Sequence, residues 1–361
     1  IYSNVLNHLD NKEVNPILLT GSSKNKSEIY EKIEKGIFNF IIGTHAIFQE
    51  NLNFSSLAYV IIDEQHRFGV QQRLYLAEKG INTNILLMSA TPIPRTLALA
   101  QYGEIEQVIL KEKPAFQKPI ITKVSNIDKI KDIEILLKKK ISNVSQVYWI
   151  CPLVEASETQ KYKDVETRFK SLKNIFGSEV EMLHGKIKSD QKERIIQNFQ
   201  KGNIKILVAT TVVEVGIDNK NADYIVIENA EKFGLSQLHQ LRGRVGRGNN
   251  QGYCFALYGK DLPDNTINRL KIFKENLDGF KLSEKDLEIR GTGDILGYRQ
   301  SGDSLFKFVN VYHDQELIID ALQYVKKLIE KKEYENEKFK KNIYKLLMFF
   351  KHQEAIKLLF S

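Results

Sequence analysis

The sequence predicts an α/β protein with two doubly wound parallel-sheet lobes, the first truncated at its N-terminus, followed by a mainly helical C-terminal segment. Three observations lead there. Apolar runs of strand length alternate with helix-length patterns up to about Lys260, the mark of repeated βα units. A segment rich in proline and charge, KEKPAFQKP from Lys111 to Pro119, interrupts that alternation and reads as a linker. From Asp261 the alternation stops, and helix-like segments surround a Gly-rich stretch.

Taken in order, Phe38–Ile42, Leu57–Ile62 and Ile85–Met88 are continuous apolar runs, as expected of parallel strands buried on both faces. After the linker, strands are expected at Ile120–Val124, Gln146–Ile150, Val180–Leu183, Ile204–Val208, Tyr224–Ile227 and Tyr253–Leu257. Helices are expected between them at Ile127–Lys140, Glu166–Ile175 and Ser189–Gln200, the last with Ser189 offering an N-cap. Farther on, Thr266–Leu277 reads as a helix, and so does the Lys/Glu-rich run Gln315–Glu337. The apolar patch Leu346–Phe350 is expected on a buried helix face. The divisions are therefore a partial first lobe at 1–112, a linker at 113–119, a second lobe at 120–260, a hairpin and loop at 261–302 and a tail at 303–361. In sheets of this kind ligands are expected at the carboxyl ends of the strands.

Composition narrows the function classes. At 361 residues the chain suits two or three domains, and 42% hydrophobic residues permit sizeable cores. A net charge of +8 permits a polyanionic partner such as DNA, as does a solvated surface with surplus lysine. Cys151 and Cys254 stand alone, without zinc-ligand spacing, so a reducing cytoplasmic setting is the simple reading. His66 and His184 lack ligand partners at useful spacing. No apolar run approaches the ~20 residues of a membrane span, and no signal peptide is visible. The first residue is Ile1 rather than Met, which suggests a fragment.

Four local patterns carry chemistry. Leu57-Ala-Tyr-Val-Ile-Ile delivers Asp63 and Glu64 to the end of a buried strand. In a nucleotide hydrolase the first carboxylate can hold Mg²⁺ through its water shell and the second can polarise the attacking water; a helix N-cap is the plainer alternative. Ile85-Leu-Leu-Met ends in Ser89-Ala90-Thr91-Pro92, hydroxyls placed to bond the acidic pair or simply to make a turn. Gly43-Thr44-His45 can present amides and a hydroxyl to a nucleic-acid phosphate, although His45 fits an ordinary surface position equally well. The second lobe contributes Thr210-Thr211 through Gly216-Ile217-Asp218, then Gln240-Leu-Arg242-Gly243-Arg244-Val245-Gly246-Arg247. A helical turn would put Arg244 and Arg247 on one face, where guanidiniums suit the charge on a transferred phosphoryl group. A basic glycine-rich nucleic-acid turn would explain that run alone as well.

In this order the patterns resemble superfamily-two helicases, and among them the RecG family of DNA translocases; the transcription-repair coupling factor is more distant. The resemblance rests on GTHAIFQ, VIIDEQHRFGVQQR, LLMSATPIPRTLALA, LVATTVVEVGID and ENAEKFGLSQLHQLRGRVGRG, and runs from about Leu18 to about Gly302. It extends through Leu287-Glu-Ile-Arg290-Gly291-Thr292-Gly293 to Gln300-Ser-Gly302, similar to a motif in which nucleotide-driven closure is tied to movement on duplex DNA.

The resemblance implies RecA-like lobes, ATP and Mg²⁺ as cofactors, and branched duplex DNA, meaning replication forks and Holliday junctions, as partner. It implies a monomer acting in repair and recombination, in the cytoplasm at the nucleoid. Asp63 would be the Mg²⁺-associated carboxylate and Glu64 the water-orienting base. Ser89, Thr91, Arg290 and Gln300 would couple nucleotide state to DNA, and Thr44, His45, Thr210 and Thr211 would meet the DNA backbone. Gly216, Asp218 and Gln240 would approach the nucleotide, with Arg244 and Arg247 at its γ-phosphate. Lys220 stands where the family usually has proline, and Thr292 where proline or a small residue is usual.

No segment reads G-x-x-x-x-G-K-[ST]. Gly21-Ser-Ser-Lys-Asn-Lys26-Ser27 lacks the second glycine, is one residue short, and follows a strand at Ile17–Thr20 that matches a later family feature. Without that loop's amides and lysine the β- and γ-phosphates are not neutralised, so negligible ATP hydrolysis is expected of this chain by itself. The resemblance also implies an upstream wedge domain, which is not expected within these 361 residues. A truncated product that only binds DNA is the alternative. The first sheet is expected to be incomplete, with an exposed edge.

Overall fold

A computed structural model of the chain describes residues 2–8, 13–64, 75–76, 79–80, 82–89, 106, 108–110, 112, 117–141, 145–152, 163–210, 219–290 and 314–350. Two compact units, 1–90 and 91–361, make up the molecule.

In the first unit, α1 spans Tyr2–His8, β1 Pro16–Leu19, α2 Lys26–Glu34, β2 Phe40–Gly43, β3 Tyr59–Ile62 and β4 Asn84–Leu87. The strands form two separate parallel pairs, β1 with β2 and β3 with β4. Leu19, Ile33, Ala46 and Leu52 are buried around the first pair, and Val60, Ile62 and Leu76 around the second. The expectation that Leu57–Ile62 is buried on both faces is corrected: β3 has a covered side, but Tyr59 and Ile61 on its other side are 55% and 56% exposed.

The second unit carries helices on both faces of its sheet. Six parallel strands lie in the order β5-β10-β9-β6-β8-β7. They are β5 (Ile121–Asn126), β6 (Gln146–Ile150), β7 (Val180–Leu183), β8 (Ile206–Ala209), β9 (Ala222–Ile227) and β10 (Tyr253–Tyr258). Side chains alternate by strand period. Val147, Trp149, Ile206, Val208, Val226, Phe255 and Leu257 face α3 (Ile130–Lys140) and α4 (Lys163–Phe176) through Ile133, Leu137, Val165 and Leu172. Tyr148, Ile150, Leu207, Ala209, Ile225, Ile227 and Ala256 face the opposite layer. That layer holds α5 (Ser189–Gln200), α6 (Leu235–Arg242), α7 (Asp264–Glu275) and α8 (Gly279–Arg290). The helical hairpin α7–α8 is thus part of this core, with Leu270, Phe273 and Leu282 fully covered. Helices α9 (Gln315–Glu330) and α10 (Glu337–Phe349) complete the described chain.

Gln146–Ile150 and Val180–Leu183 match their expected bounds, and the other strands shift by one or two residues. The expected Ile127–Lys140 helix opens with a 3-10 turn at Ile127–Lys129, where Asn126 Oδ1 accepts from Asp128 N at 2.9 Å. Ser189 is the first helical residue rather than the cap; Lys188 occupies that place without a side-chain bond. The expected Gln315–Glu337 helix breaks where Lys332 takes φ 53°, a left-handed conformation that ends a helix. The Leu346–Phe350 expectation is corrected too, since Leu346, Met348 and Phe349 are 53%, 53% and 69% exposed. No described helix is long and apolar enough to cross a membrane.

Candidate functional site

In the first unit the carboxyl ends of β3 and β4 carry the acidic pair and a hydroxyl. Met88 N donates to Ile62 O at 2.8 Å, extending the ladder one step, so that Met88 stands level with Asp63 and Ser89 follows level with Glu64. Asp63 is exposed; its Oδ1 accepts from Glu64 N at 2.9 Å. Glu64 is half-buried with φ 51°, a left-handed backbone that a non-glycine residue adopts only under constraint. An exposed carboxylate presenting hard oxygen to water fits Mg²⁺, which keeps most of its hydration shell. Among the described residues no group of three or more His, Cys, Asp and Glu could enclose a metal, so a mostly protein-ligated metal has no site there.

β2 ends at Gly43, where an added Cβ would stand 2.3 Å from Leu19 O and 2.7 Å from the Ile47 side chain. That crowding requires glycine and lets Thr44 N donate to Leu19 O at 3.2 Å. Thr44 and His45 are both exposed at the start of the 3-10 turn His45–Phe48.

In the second unit the candidate residues separate to opposite ends of the sheet. Thr210 follows β8 at the carboxyl end. It is fully buried, and its Oγ1 has no hydrogen-bond partner among the described residues. The arginine turn lies at the amino end, just before β10. Helix α6 buries Leu235, Leu238 and Leu241, leaves Gln240 half-covered, and ends at Arg242 with Gly243 as its cap. Arg244 and Arg247 are therefore beyond the helix, not on one helical face. Arg244 is 9% exposed, whereas Arg247 is half-buried with Nε donating to Gly243 O at 2.9 Å. Gly246 takes φ 68° and its N donates to Ala222 O at 3.2 Å, stitching the turn to the start of β9. The arginine turn thus stands beside the amino end of β9, at the opposite end of the sheet from Thr210.

Residues 1–100 match the family profile "DEAD/DEAH box helicase", and residues 127–249 match "Helicase conserved C-terminal domain". ATP-dependent DNA helicase RecG of Borreliella burgdorferi is 47% identical over 324 residues, covering 88% of this chain and 47% of that protein. RecG of Staphylococcus aureus strain NCTC 8325 is 43% identical over 321 residues, covering 88% and 47%. A solved structure of RecG bound to a three-way DNA junction superimposes with TM-score 0.66 at 37% identity, covering 88% of this chain and 41% of that one.

The chain belongs to the RecG family.

It spans about half the length of the curated RecG relatives it matches, 47% in both cases above. Mycobacterium smegmatis helicase Lhr, at 17% identity and TM-score 0.53, shares the fold alone. The RecA-like parallel-sheet architecture is therefore common to this RecG-family chain and to distant helicases. Thr91, Thr211, Gly216, Asp218 and Gln300 lie outside the described residues, as does His66, and of Arg290 only the backbone, at the end of α8, is described.

One important group was missed in the sequence. Arg242 is 2% exposed and stacks on the Phe273 ring at 4.5 Å. Its Nη1 donates to Phe273 O at 2.9 Å and its Nη2 to Asn276 O at 2.8 Å. Nη2 also lies 3.1 Å from His239 Nδ1, which must accept because guanidinium has no acceptor. The helix before the arginine turn is thereby pinned to the α7–α8 joint. The leucines at 235, 238 and 241 marked a buried helix face, and that was the available clue.

Proposed function

We propose that the chain is the motor portion of an ATP-dependent DNA helicase that remodels branched DNA, reversing forks and migrating Holliday junctions in repair and recombination. The observation that carries this is the 47% identity to a RecG helicase across nearly the whole chain, together with an acidic pair at a strand end and an arginine turn after a buried helix. The proposed divisions remain a first lobe at 1–112, a linker at 113–119, a second lobe at 120–260, a translocation hairpin and loop at 261–302 and a tail at 303–361.

Asp63 would hold Mg²⁺ through water and Glu64 would orient and deprotonate the attacking water. Bound Mg²⁺ would supply charge neutralisation at the β- and γ-phosphate oxygens. Arg244 and Arg247 stabilise the charge that builds on the transferred phosphoryl, while Gly216, Asp218 and Gln240 hold the nucleotide. Ser89, Thr91, Arg290 and Gln300 couple nucleotide state to DNA. Thr44 and His45, both exposed, contact the DNA backbone; Thr210 and Thr211 do so only if the covering over Thr210 moves. The protein acts as a monomer at the nucleoid in the cytoplasm.

The test is phosphate release with three-way or four-way junction DNA. This chain by itself should bind the junction with strong salt dependence and release negligible phosphate, for want of a G-x-x-x-x-G-K-[ST] loop. In a longer protein that carries such a loop, E64Q should lower turnover by about 10²- to 10⁴-fold with junction affinity retained. Robust turnover by the isolated chain would overturn the assignment of phosphate binding to a missing loop. Salt-independent or absent junction binding would overturn the DNA reading.

A further inference from the structure

We infer that Asp223 and Asn250 are positioning residues, and that their hydrogen bond holds the arginine turn against the segment that follows Asp218. This rests on the reading above that Asp218 and the arginines serve one nucleotide.

Asp223 lies where the β6–β9 register slips: Gln146 pairs with Ala222 but Val147 with Tyr224, so Asp223 is the extra residue of a bulge. It is 3% exposed. Its Oδ2 accepts from Ser145 Oγ at 2.7 Å and from Asn250 Nδ2 at 3.1 Å, while Oδ1 is buried without a hydrogen-bond partner. A carboxylate withdrawn from water in this state is costly, so the bonds it makes hold their donors firmly. Asn250 is itself exposed, three residues beyond Arg247. The remaining contacts are at the same place. Gly246 N donates to Ala222 O, and a Cβ at Gly248 would stand 2.5 Å from Lys220 O. Asn219, buried beside Asp218 in sequence, donates to Gln146 Oε1 at 3.0 Å and accepts from Asn221 N at 3.0 Å. Residues 219–223 and 246–250 are therefore clamped side by side, and the Asp223–Asn250 bond joins them side chain to side chain, so it can be exchanged without touching backbone.

The test exchanges the partners in the full 361-residue chain. N250D opposes two carboxylates, D223N removes the acceptor's charge, and D223N/N250D restores the bond with roles reversed. Amide hydrogen exchange across 243–250 should quicken about tenfold or more in N250D and return towards the parent rate in the double variant. Exchange in β6 and β8 should stay unchanged throughout. Unchanged exchange at 243–250 in N250D, or no recovery in the double variant, overturns the inference. If D223N alone unfolds the chain, N250A, altered only on the exposed side, gives the same readout. The nucleotide reading is examined separately by R247A: no change in the binding of a fluorescent ATP analogue by a loop-containing longer form would sink that reading and leave the exchange result standing.

Discussion

The guanidinium of Arg168 lies between two carboxylates, with Nε to Glu228 Oε1 at 2.5 Å and Nη1 to Glu134 Oε1 at 3.3 Å. Trp149 Nε1 also donates to Glu228, and the Arg168 guanidinium sits 5.5 Å from the Trp149 ring. One positive charge cannot fully satisfy two buried negative ones. Burial, opposed by Arg168 and reinforced by Glu228, raises the Glu134 pKa above its usual value. A raised carboxyl pKa favours folding below the unfolded value and opposes it once pH exceeds the folded value. E134Q should therefore melt at or above the parent temperature at pH 7, and the advantage should vanish as pH falls through the carboxylate range. R168M leaves Glu228 buried with its charge uncompensated, and a loss of about 3–5 kcal/mol is expected by denaturant titration. The chain's single tryptophan reports both changes by fluorescence. Burial also pushes both thiols up, Cys254 to about 12, so iodoacetamide at pH 8 should label neither cysteine in the folded chain and both in denaturant.

At the scale of elements, α6 works through what holds its end. R242M removes two donors from the carbonyls of Phe273 and Asn276, which then stay buried without them; about 2–4 kcal/mol of stability should be lost, with hydrogen exchange rising first in α7 and α8. G248A should cost about 1–3 kcal/mol in thermal melts, because the atom it meets is the Lys220 carbonyl and the turn leading into β9 must shift. These elements differed in how far the sequence disclosed them. Gln146–Ile150 was legible to the residue because a strand covered on both faces is a continuous apolar run bounded by polar residues. The end of α9 was not, since Lys332 takes the left-handed conformation without the glycine or asparagine that announces it. Nor was the burial of Arg242, because a long cation carries no local sign that carbonyls from a helix thirty residues later await it. The acidic pair was legible as a strand end, and the position of the arginine turn was not: strand order and register depend on contacts distant in sequence.

At the scale of the molecule, the two units have very unequal cores. The second buries both faces of its four inner strands, β10, β9, β6 and β8, whereas the buried clusters described in the first hold four and three residues. Calorimetry should show two transitions, with limited trypsin cleavage appearing in the first unit at the lower one. A fragment of residues 117–290 should keep the upper transition, because the hairpin α7–α8 that seals Leu270, Phe273 and Leu282 is included.

The edge strand β5 sits beside β10, the last strand of the sheet to be made. A ribosome elongating at 5–20 residues per second would therefore expose β5 for roughly 7–26 s, the time to synthesise about 130 further residues, before its partner emerged. Its Ile121, Thr122 and Val124 would spend that interval open to chaperones or to a neighbouring nascent chain, so slowing translation anywhere between β5 and β10 should raise aggregation, whereas slowing it across α9 should not.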